Sequence, residues 1–426
     1  MTLPSSRAAR RVLLVAAAAL GAACAARQPG AAARAGAAVP AQVSVNQVGY
    51  LPGFPKLATV RTTEAAALEW KLVDAAGQAV ATGKAQPLGL DAASGDAVQL
   101  VDFSAVNAPG KGYMLAVGGG KSTPFAIGAD LYAKLKYDAL ALFYHQRSGT
   151  PIVMPYAGDK GWVRAAGHLG DKKVPCAHEA GCKYWAAAEL FITTGGAEYQ
   201  EFLAASPLFK KVPTDVEAGH PTSMTWAEVA SCGSISLAVV PSKLSAADRD
   251  AIRAEVKAAA DRYVSAESAE GYRTPFSAKS YPWGSNSFVL NNLLVIALAG
   301  DFTGEPRYTD AVAVGMDYLL GRNPLDQSYL TGYGSNPLLH PHHRFFAFQI
   351  NPAFPPPPPG IVSGGPNSGL QDPRVKQLGL PGCAPERCWV DEIEAWSVNE
   401  LAINWNAPLA WVAAYLDETA KRPAAK

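Results

Sequence analysis

Between Val43 and Ile127 apolar and polar residues alternate in short runs separated by Gly, Pro and Asp. A period of two predicts strands with one buried face. Leu68, Trp70 and Leu72 share a face of one run, and Tyr113, Leu115 and Val117 share a face of another. About seven such runs predict an all-β immunoglobulin-like sandwich over residues 42–128. At Asp130 the period changes: Leu131, Leu135, Ala139, Leu142 and Phe143 recur at helical spacing, with Asp130 placed as the N-cap. Further helical stretches cover 184–194, 198–205, 226–240, 244–264, 287–302, 307–320 and 398–419. Residues 129–426 therefore read as a second, all-α domain of about eight helices. Two segments, 148–182 and 321–397, are far longer than the usual connections of about 4–6 residues, and long loops in compact domains are commonly functional. The run Pro355 to Pro359 inside the second reads as the stiff wall of a cleft.

The first residues do not continue either pattern. Arg7, Arg10 and Arg11 precede an apolar run over 12–20 that is too short to span a bilayer permanently, so 1–24 reads as a secretory signal segment. Leu20-Gly-Ala-Ala-Cys24 resembles a lipobox with its large residue one place early, leaving Cys24 either a lipid anchor or a neighbour of the cleavage site. The Ala- and Gly-rich stretch 25–41 reads as a linker. The expected location is secreted or periplasmic, with any membrane attachment made through Cys24. In that oxidising setting Cys176 with Cys182, and Cys383 with Cys388, are natural local pairs, and Cys232 is a buried thiol. With 37 Lys and Arg against 36 Asp and Glu the net charge is +1, which offers no field for nucleic acid or anionic lipid and suits a neutral ligand.

Two segments concentrate chemistry. Residues 328–344 hold His340, His342 and His343 with Arg344 and two tyrosines, three of the seven histidines of the chain. They can hold a metal, lie idle on the surface, or donate hydrogen bonds to the hydroxyls of a neutral ligand. In residues 389–407, Asp391, Glu394 and Glu400 alternate with Trp389, Trp396 and Trp405. Ser397 followed by Glu400 is also a capping box, so Glu400 can simply tie down a helix start. A carboxyl group beside Trp396 and Trp405 instead has its pKa raised by desolvation, as a general acid at neutral pH requires.

Both segments resemble the signature regions of family nine glycoside hydrolases. The first ends in His342-x-Arg344, and the second matches the aromatic-x-Asp, aromatic, Glu and Asn-Ala positions at Trp389, Asp391, Trp396, Glu400, Asn406 and Ala407. Val45-Asn-Gln-Val-Gly-Tyr-Leu-Pro52 is similar to the opening of the immunoglobulin-like domain that often precedes the catalytic module. Trp283-Gly-Ser-Asn286, Leu319-Leu-Gly-Arg-Asn-Pro324 and Ser363-Gly-Gly-Pro-Asn-Ser-Gly369 are similar to later family loops. The resemblance implies an (α/α)6 barrel stabilised by the sandwich, acting as a monomer on a β-1,4-glucan by inversion. It makes Glu400 the proton donor, assisted by Asp391 and His342, with Arg344, His342, Tyr333 and Trp396 contacting substrate. No cofactor is implied; calcium in the long loops is compatible, with no ligands assigned.

One family feature is missing. The Asp-Ala-Gly-Asp stretch that supplies the water-activating carboxylate does not occur, and Tyr156-Ala-Gly-Asp159 belongs by its neighbours to the preceding loop. After Cys182 the sequence continues as a helix from much later in the family module, so a deletion near 182/183 is expected. About eight helices instead of twelve agrees with that break and predicts exposed apolar faces beside it. Such a chain is either a weakened hydrolase or a glucan-binding or truncated product without turnover. No Gly-x-Ser-x-Gly elbow or Gly-rich βα turn supports an esterase or a nucleotide enzyme.

Overall fold

The computed structural model describes residues 40–167, 169–170, 179–276 and 279–422. The leader, Cys24, most of the linker and the Cys176–Cys182 pair lie outside the described positions or side chains. The alternating region forms two sheets. One runs β1 (Gln42–Ser44), β3 (Leu57–Arg61), β7 (Ala97–Asp102), β6 (Gln86–Leu90). The other runs β2 (Gly49–Tyr50), β10 (Phe125–Ile127), β8 (Gly110–Val117), β4 (Glu69–Val73), β5 (Ala79–Lys84), with β9 (Gly120–Lys121) added on β8. Trp70 pairs with Val117 and Leu72 with Leu115, so the two predicted apolar faces coincide. They meet Val60, Val101 and Phe103 of the facing sheet in one core. The sandwich has more strands than the alternation suggested because β2 and β9 are two-residue strands with no pattern of their own.

The helical part comprises, among the described residues, α1 (Leu135–His145), α2 (Glu179–Thr194), α3 (Ala197–Ala205), α4 (Ala230–Val239), α5 (Ala246–Ala269), α6 (Ser285–Thr303), α7 (Pro306–Leu319), the short α8 (Pro373–Gln377) and α9 (Trp396–Asn399), and α10 (Ile403–Thr419). Two boundaries differ from the periodicity. Asp130 does not cap α1: its carbonyl accepts a turn bond from the Ala133 amide at 3.2 Å, and the helix begins at Leu135. The helical pattern over 398–419 is interrupted at Glu400, whose backbone is extended (φ −65°, ψ 156°) and is used by neighbouring loops.

Helix α6 is apolar nearly all round and correspondingly buried, packed by α5, α7 and α10. From it the helices continue as an arc: α10 packs on α1 at one end, and α5, α4, α2 and α3 follow at the other. Helices α1 and α2 are consecutive in the chain yet lie at opposite ends of this arc. Each end presents apolar side chains to solvent, Tyr137 (65% exposed) and Leu140 (55%) on α1, Trp185 (37%) on α2 and Phe202 (47%) on α3. Both ends of the arc therefore carry uncovered apolar surface.

The sandwich is joined to the arc through a buried polar knot. Asn46 Nδ2 donates to Asp317 Oδ1 at 2.7 Å and to the Tyr132 hydroxyl at 3.2 Å. Arg322, fully buried, donates to the carbonyls of Tyr272 (3.0 Å) and Val314 (2.5 Å) and stands 3.7 Å from Asp317. Beside it the Gln47 amide donates to Leu320 O at 2.9 Å, and the Gln47 side chain bonds Asp326 O and the Asn336 amide. Elsewhere Cys383 and Cys388 form a disulfide. Cys232 is a free thiol next to Met224, and burial pushes its pKa up to about 11.

Burial raises the Asp317 pKa to about 7, against partial opposition from Arg322 and Asn46. The folded state therefore holds a proton that the unfolded chain has released between about pH 4 and 7, so stability falls as pH rises through that window. We expect thermal unfolding of the wild type to shift downward from pH 5 to pH 8, and D317N to flatten that slope. N46A, which removes the Asn46 bond to Asp317 Oδ1, should cost about 2–3 kcal/mol by denaturant titration.

Candidate active site

Glu400 sits between α9 and α10, where three segments hold its backbone. The Glu400 carbonyl accepts from the Gly364 amide at 2.8 Å, and the carbonyl before it, of Asn399, accepts from the His342 amide at 2.8 Å. His342 and Glu400 thus run side by side as an isolated parallel bridge. Gly365 approaches so closely, at φ +89°, that an added Cβ would fall 2.4 Å from the Asn286 side chain. Asn286 in turn holds the 363–365 turn, its amide bonding Gly364 O at 3.0 Å and its side chain Ser363 O at 3.0 Å. Asn406 ties α10 to the same region, donating to Ala139 O and Gly360 O and accepting from the Val362 amide.

This arrangement excludes the capping-box alternative. Ser397 lies inside α9 and gives both its amide, at 2.9 Å, and its hydroxyl to Asp372, and α10 has no side-chain cap. The Glu400 side chain is instead half-buried beside His342 and Trp283. Burial raises its pKa, while the charge of His342 and a hydrogen bond from Trp283 oppose the rise. Trp283 and Trp396 lie ring to ring at 5.0 Å, so the two indoles back the carboxyl group.

A cavity of about 550 Å³ opens beside His342, lined by it and by Arg344, Ile350, Phe354, Glu394 and Trp396, among others; Glu400 is not itself one of the lining residues and is joined to them through His342. The His342 ring is oriented by Nδ1 against Ile393 O at 2.6 Å, leaving Nε2 as its open nitrogen. Arg344 is exposed on the same wall. His343 behaves differently: it is stacked on Phe346 at 4.6 Å, its Nδ1 accepts from the amides of Phe345 and Phe346, and burial lowers its pKa to about 4. It is a neutral structural ring at ordinary pH.

The structure distributes the sequence-selected residues unevenly. His342, Arg344 and Trp396 line the cavity with Glu400 beside them. Asp391 works one layer back, accepting from the amides of Leu339 (2.7 Å) and His340 (2.8 Å) and from Asn399 Nδ2 (3.2 Å). It fixes the histidine loop against the Glu400 turn. Tyr333 lies off the cavity lining, its hydroxyl donating to Asp138 of α1 at 2.7 Å. Trp283, which sequence reading placed in a family loop without a role, contacts Glu400 directly; the aromatic spacing before a helix N-terminus was the available signal. Among the described residues no group of three or more His, Cys, Asp or Glu is placed to hold a metal ion, and His340, His342 and His343 do not converge.

Comparison with known proteins agrees with this geometry. The family model for glycosyl hydrolase family 9 matches residues 178–413, and that for the cellulase N-terminal Ig-like domain matches 38–122. The chain belongs to glycosyl hydrolase family 9. It is 30% identical over 600 residues to a cellulose 1,4-beta-cellobiosidase of Acetivibrio thermocellus, covering 88% of this chain and 67% of the relative. It is 30% identical over 576 residues to endoglucanase C of Cellulomonas fimi, covering 88% of this chain and 52% of the relative. The chain therefore spans about two thirds of one relative and half of the other. Both alignments run longer than the 426-residue chain itself, so each contains long gaps on this side. A metagenome-derived family 9 endoglucanase superposes with a TM-score of 0.73 at 21% identity, covering 88% of this chain and 99% of that one, and a Bacteroides ovatus family 9 structure with 0.72 at 21%, covering 89% and 99%. At that identity the likeness concerns the fold.

The balance at Glu400 is directly measurable. Carbon-13 titration of its carboxyl should give a pKa above the ordinary glutamate value of about 4.3, and W283F, which deletes an opposing hydrogen bond, should raise it further. A value unchanged by W283F would show that the indole does not bond the carboxylate.

Proposed function

We propose that the protein acts on β-1,4-glucan as an exported, monomeric, inverting hydrolase of weakened activity, with Glu400 as the proton donor to the leaving glycosidic oxygen. The supporting observation is the half-buried Glu400 carboxyl group, its pKa raised by burial, between His342 and a Trp283–Trp396 pair at the edge of a cavity. A general acid must be protonated when substrate is bound, and desolvation is the means of keeping a carboxyl so near neutral pH. His342, whose Nδ1 donates to Ile393 O, presents Nε2 as an acceptor for a sugar hydroxyl, Arg344 presents donors, and Trp396 a flat apolar face. The names of the relatives, cellobiosidase and endoglucanase, fit a neutral polysaccharide substrate.

Inversion also needs a carboxylate about 6.5–9.5 Å from the acid to activate water, and its absence costs about 10²–10⁴ in rate. The stretch expected to carry it is missing from the sequence. Of the described residues, Glu394 is the carboxylate that lines the cavity, held within 3.9 Å of Arg374. The alternative reading is a glucan-binding protein without turnover. Release of reducing sugar from carboxymethylcellulose by purified protein separates the two. Slow, steady release that disappears in E400Q is the expected result; glucan binding without release would leave only the binding role. If Glu394 activates water, E394Q reduces release about 10²-fold or more, and an unchanged rate removes it from the mechanism.

A further inference from the structure

Glu386 is fully buried, and the site described above makes no use of it. It stands in the tight turn Pro385–Arg387, which the Cys383–Cys388 disulfide closes into a short loop. That loop is seated on the sandwich. The Glu386 amide donates to Ala93 O at 3.0 Å, while Arg387 donates to Ser94 O at 3.3 Å and pairs with Asp96, all three in the connection between β6 and β7. On its inner side Glu386 Oε1 accepts from the Tyr281 hydroxyl at 2.7 Å, and Oε2 meets no donor among the described residues. Burial raises the Glu386 pKa well above the ordinary range, and Asp91, Glu270 and Asp96 raise it further against the opposing Tyr281 bond. Glu386 is therefore a neutral acid whose carboxyl group is spent on Tyr281. Tyr281 in turn stands two residues before Trp283, the indole that bonds Glu400. The link has little slack. Tyr281 is buried, its amide donates to the Ser368 hydroxyl and its carbonyl accepts from the Ser368 amide, each at 2.9 Å, and its ring meets Phe276 edge-on at 5.1 Å. Pro282 then fixes its own φ, and its carbonyl accepts from the Ser285 amide at 3.1 Å where α6 begins.

We infer that Glu386 is a positioning residue for the proton donor: by holding the Tyr281 hydroxyl it sets the Trp283 indole against Glu400. The role rests on the reading of Glu400 as the acid. A hydrogen bond weakens steeply with distance and angle, so the bond from Trp283 to Glu400 responds to small displacements of the segment that carries it. Tyr281 is the buried end of that segment, and Glu386 fixes its hydroxyl. The chemistry required at position 386 is a neutral acceptor on a side chain of this length, which a carboxamide supplies and a methyl group does not. The same chain of contacts gives the sandwich a second hold on the acid, because its β6–β7 connection carries the turn that presents Glu386.

Carbon-13 titration of Glu400 in the full chain, without sugar, tests this. Y281F and E386A should each raise the Glu400 pKa, in the direction expected of W283F, and neither should raise it further when combined with W283F. E386Q, which keeps a neutral acceptor, should leave the value at that of the wild type. Y281F removes one oxygen and no packing, so it reads the bond even where E386A does not fold. A Glu400 pKa unmoved in Y281F or in W283F, a shift in E386Q as large as that in E386A, or shifts that add to that of W283F overturns the positioning role. A lowered melting temperature of Y281F with the Glu400 pKa unmoved overturns it too, since a carboxyl group that only stabilises the fold gives that result. The outcome is separate from turnover. The expected shifts in a chain that releases no sugar keep the placement of Trp283 by Glu386 and remove hydrolysis. Unmoved pKa values in a chain whose sugar release disappears in E400Q remove the role of Glu386 and keep the hydrolase.

Discussion

The buried knot of Asn46, Asp317 and Arg322 is the constraint on which the site depends. A buried guanidinium beside a buried carboxyl group is costly to hold away from water; here two backbone carbonyls take two Arg322 nitrogens and the sandwich's Asn46 takes Asp317 Oδ1, while Arg322 Nε and Asp317 Oδ2 face each other at 3.7 Å without a hydrogen bond. The knot fixes the end of α7 against the first loop of the sandwich. Gln47 then grips the segment that follows, at Leu320, Asp326 and Asn336. From there order passes through backbone pairing: Leu330 with Val362, Gly364 with Glu400, and His342 with Glu400. Among the described residues no hydrogen bond or ion pair joins the sandwich to the cavity lining, yet the loop that presents His342 is anchored on it through Gln47. Its contribution to the site is placement, and an isolated helical part would lose the partner of Asp317 together with the Gln47 clamp.

The open arc of helices sets a second condition. Helices that complete a ring bury both flanks; here α1 and the α2–α3 pair each keep one apolar flank in water, with Tyr137 and Leu140 on one side and Trp185 and Phe202 on the other. Every such side chain forgoes about 1.5–3 kcal/mol that full burial would bring. Against a domain stability of about 5–15 kcal/mol that loss is large, which makes the interior α6 seam and the polar knot more important to this chain than they would be in a closed barrel.

Much of this was legible because the informative residues are contiguous. Period-two runs gave the sandwich core, with Trp70 and Leu72 facing Val117 and Leu115, and period 3.6 gave the long helices. The strings around Trp283, Ser363 and Trp389 pointed at one site, and they do converge there, since Trp283, Gly364 and Asn399 all bond the Glu400 turn or its neighbour. What could not be read was tertiary competition for local signals. Ser397 looked like a cap, but buried Asp372, distant in sequence, takes its hydroxyl. The helix through 398–419 looked continuous, but Gly364 and His342 draw the backbone out at Glu400. Tyr333 looked like a sugar contact, but its hydroxyl is taken by Asp138. The walls made by Ile350 and Phe354 carried no pattern, because a cavity is lined by loops whose register only the fold decides.

The groups that tune Glu400 are drawn from one part of the chain. Trp283, His342 and Trp396 all come from the second half of the chain, and so do Gly364 and Asn286, which fix its backbone. None of them belongs to the stretch beside the 182/183 junction. The burial that raises the Glu400 pKa comes from these groups, while the loop that carries His342 still leans on the sandwich through Gln47 and α10 on α1 through Asn406. That burial is partial, because the cavity is open to water on the far side. On the glucan reading, a neutral chain lying there excludes solvent without adding a charge, so occupancy itself pushes Glu400 further toward the protonated form. The acid is then most fully charged with its proton when a sugar is present to receive it.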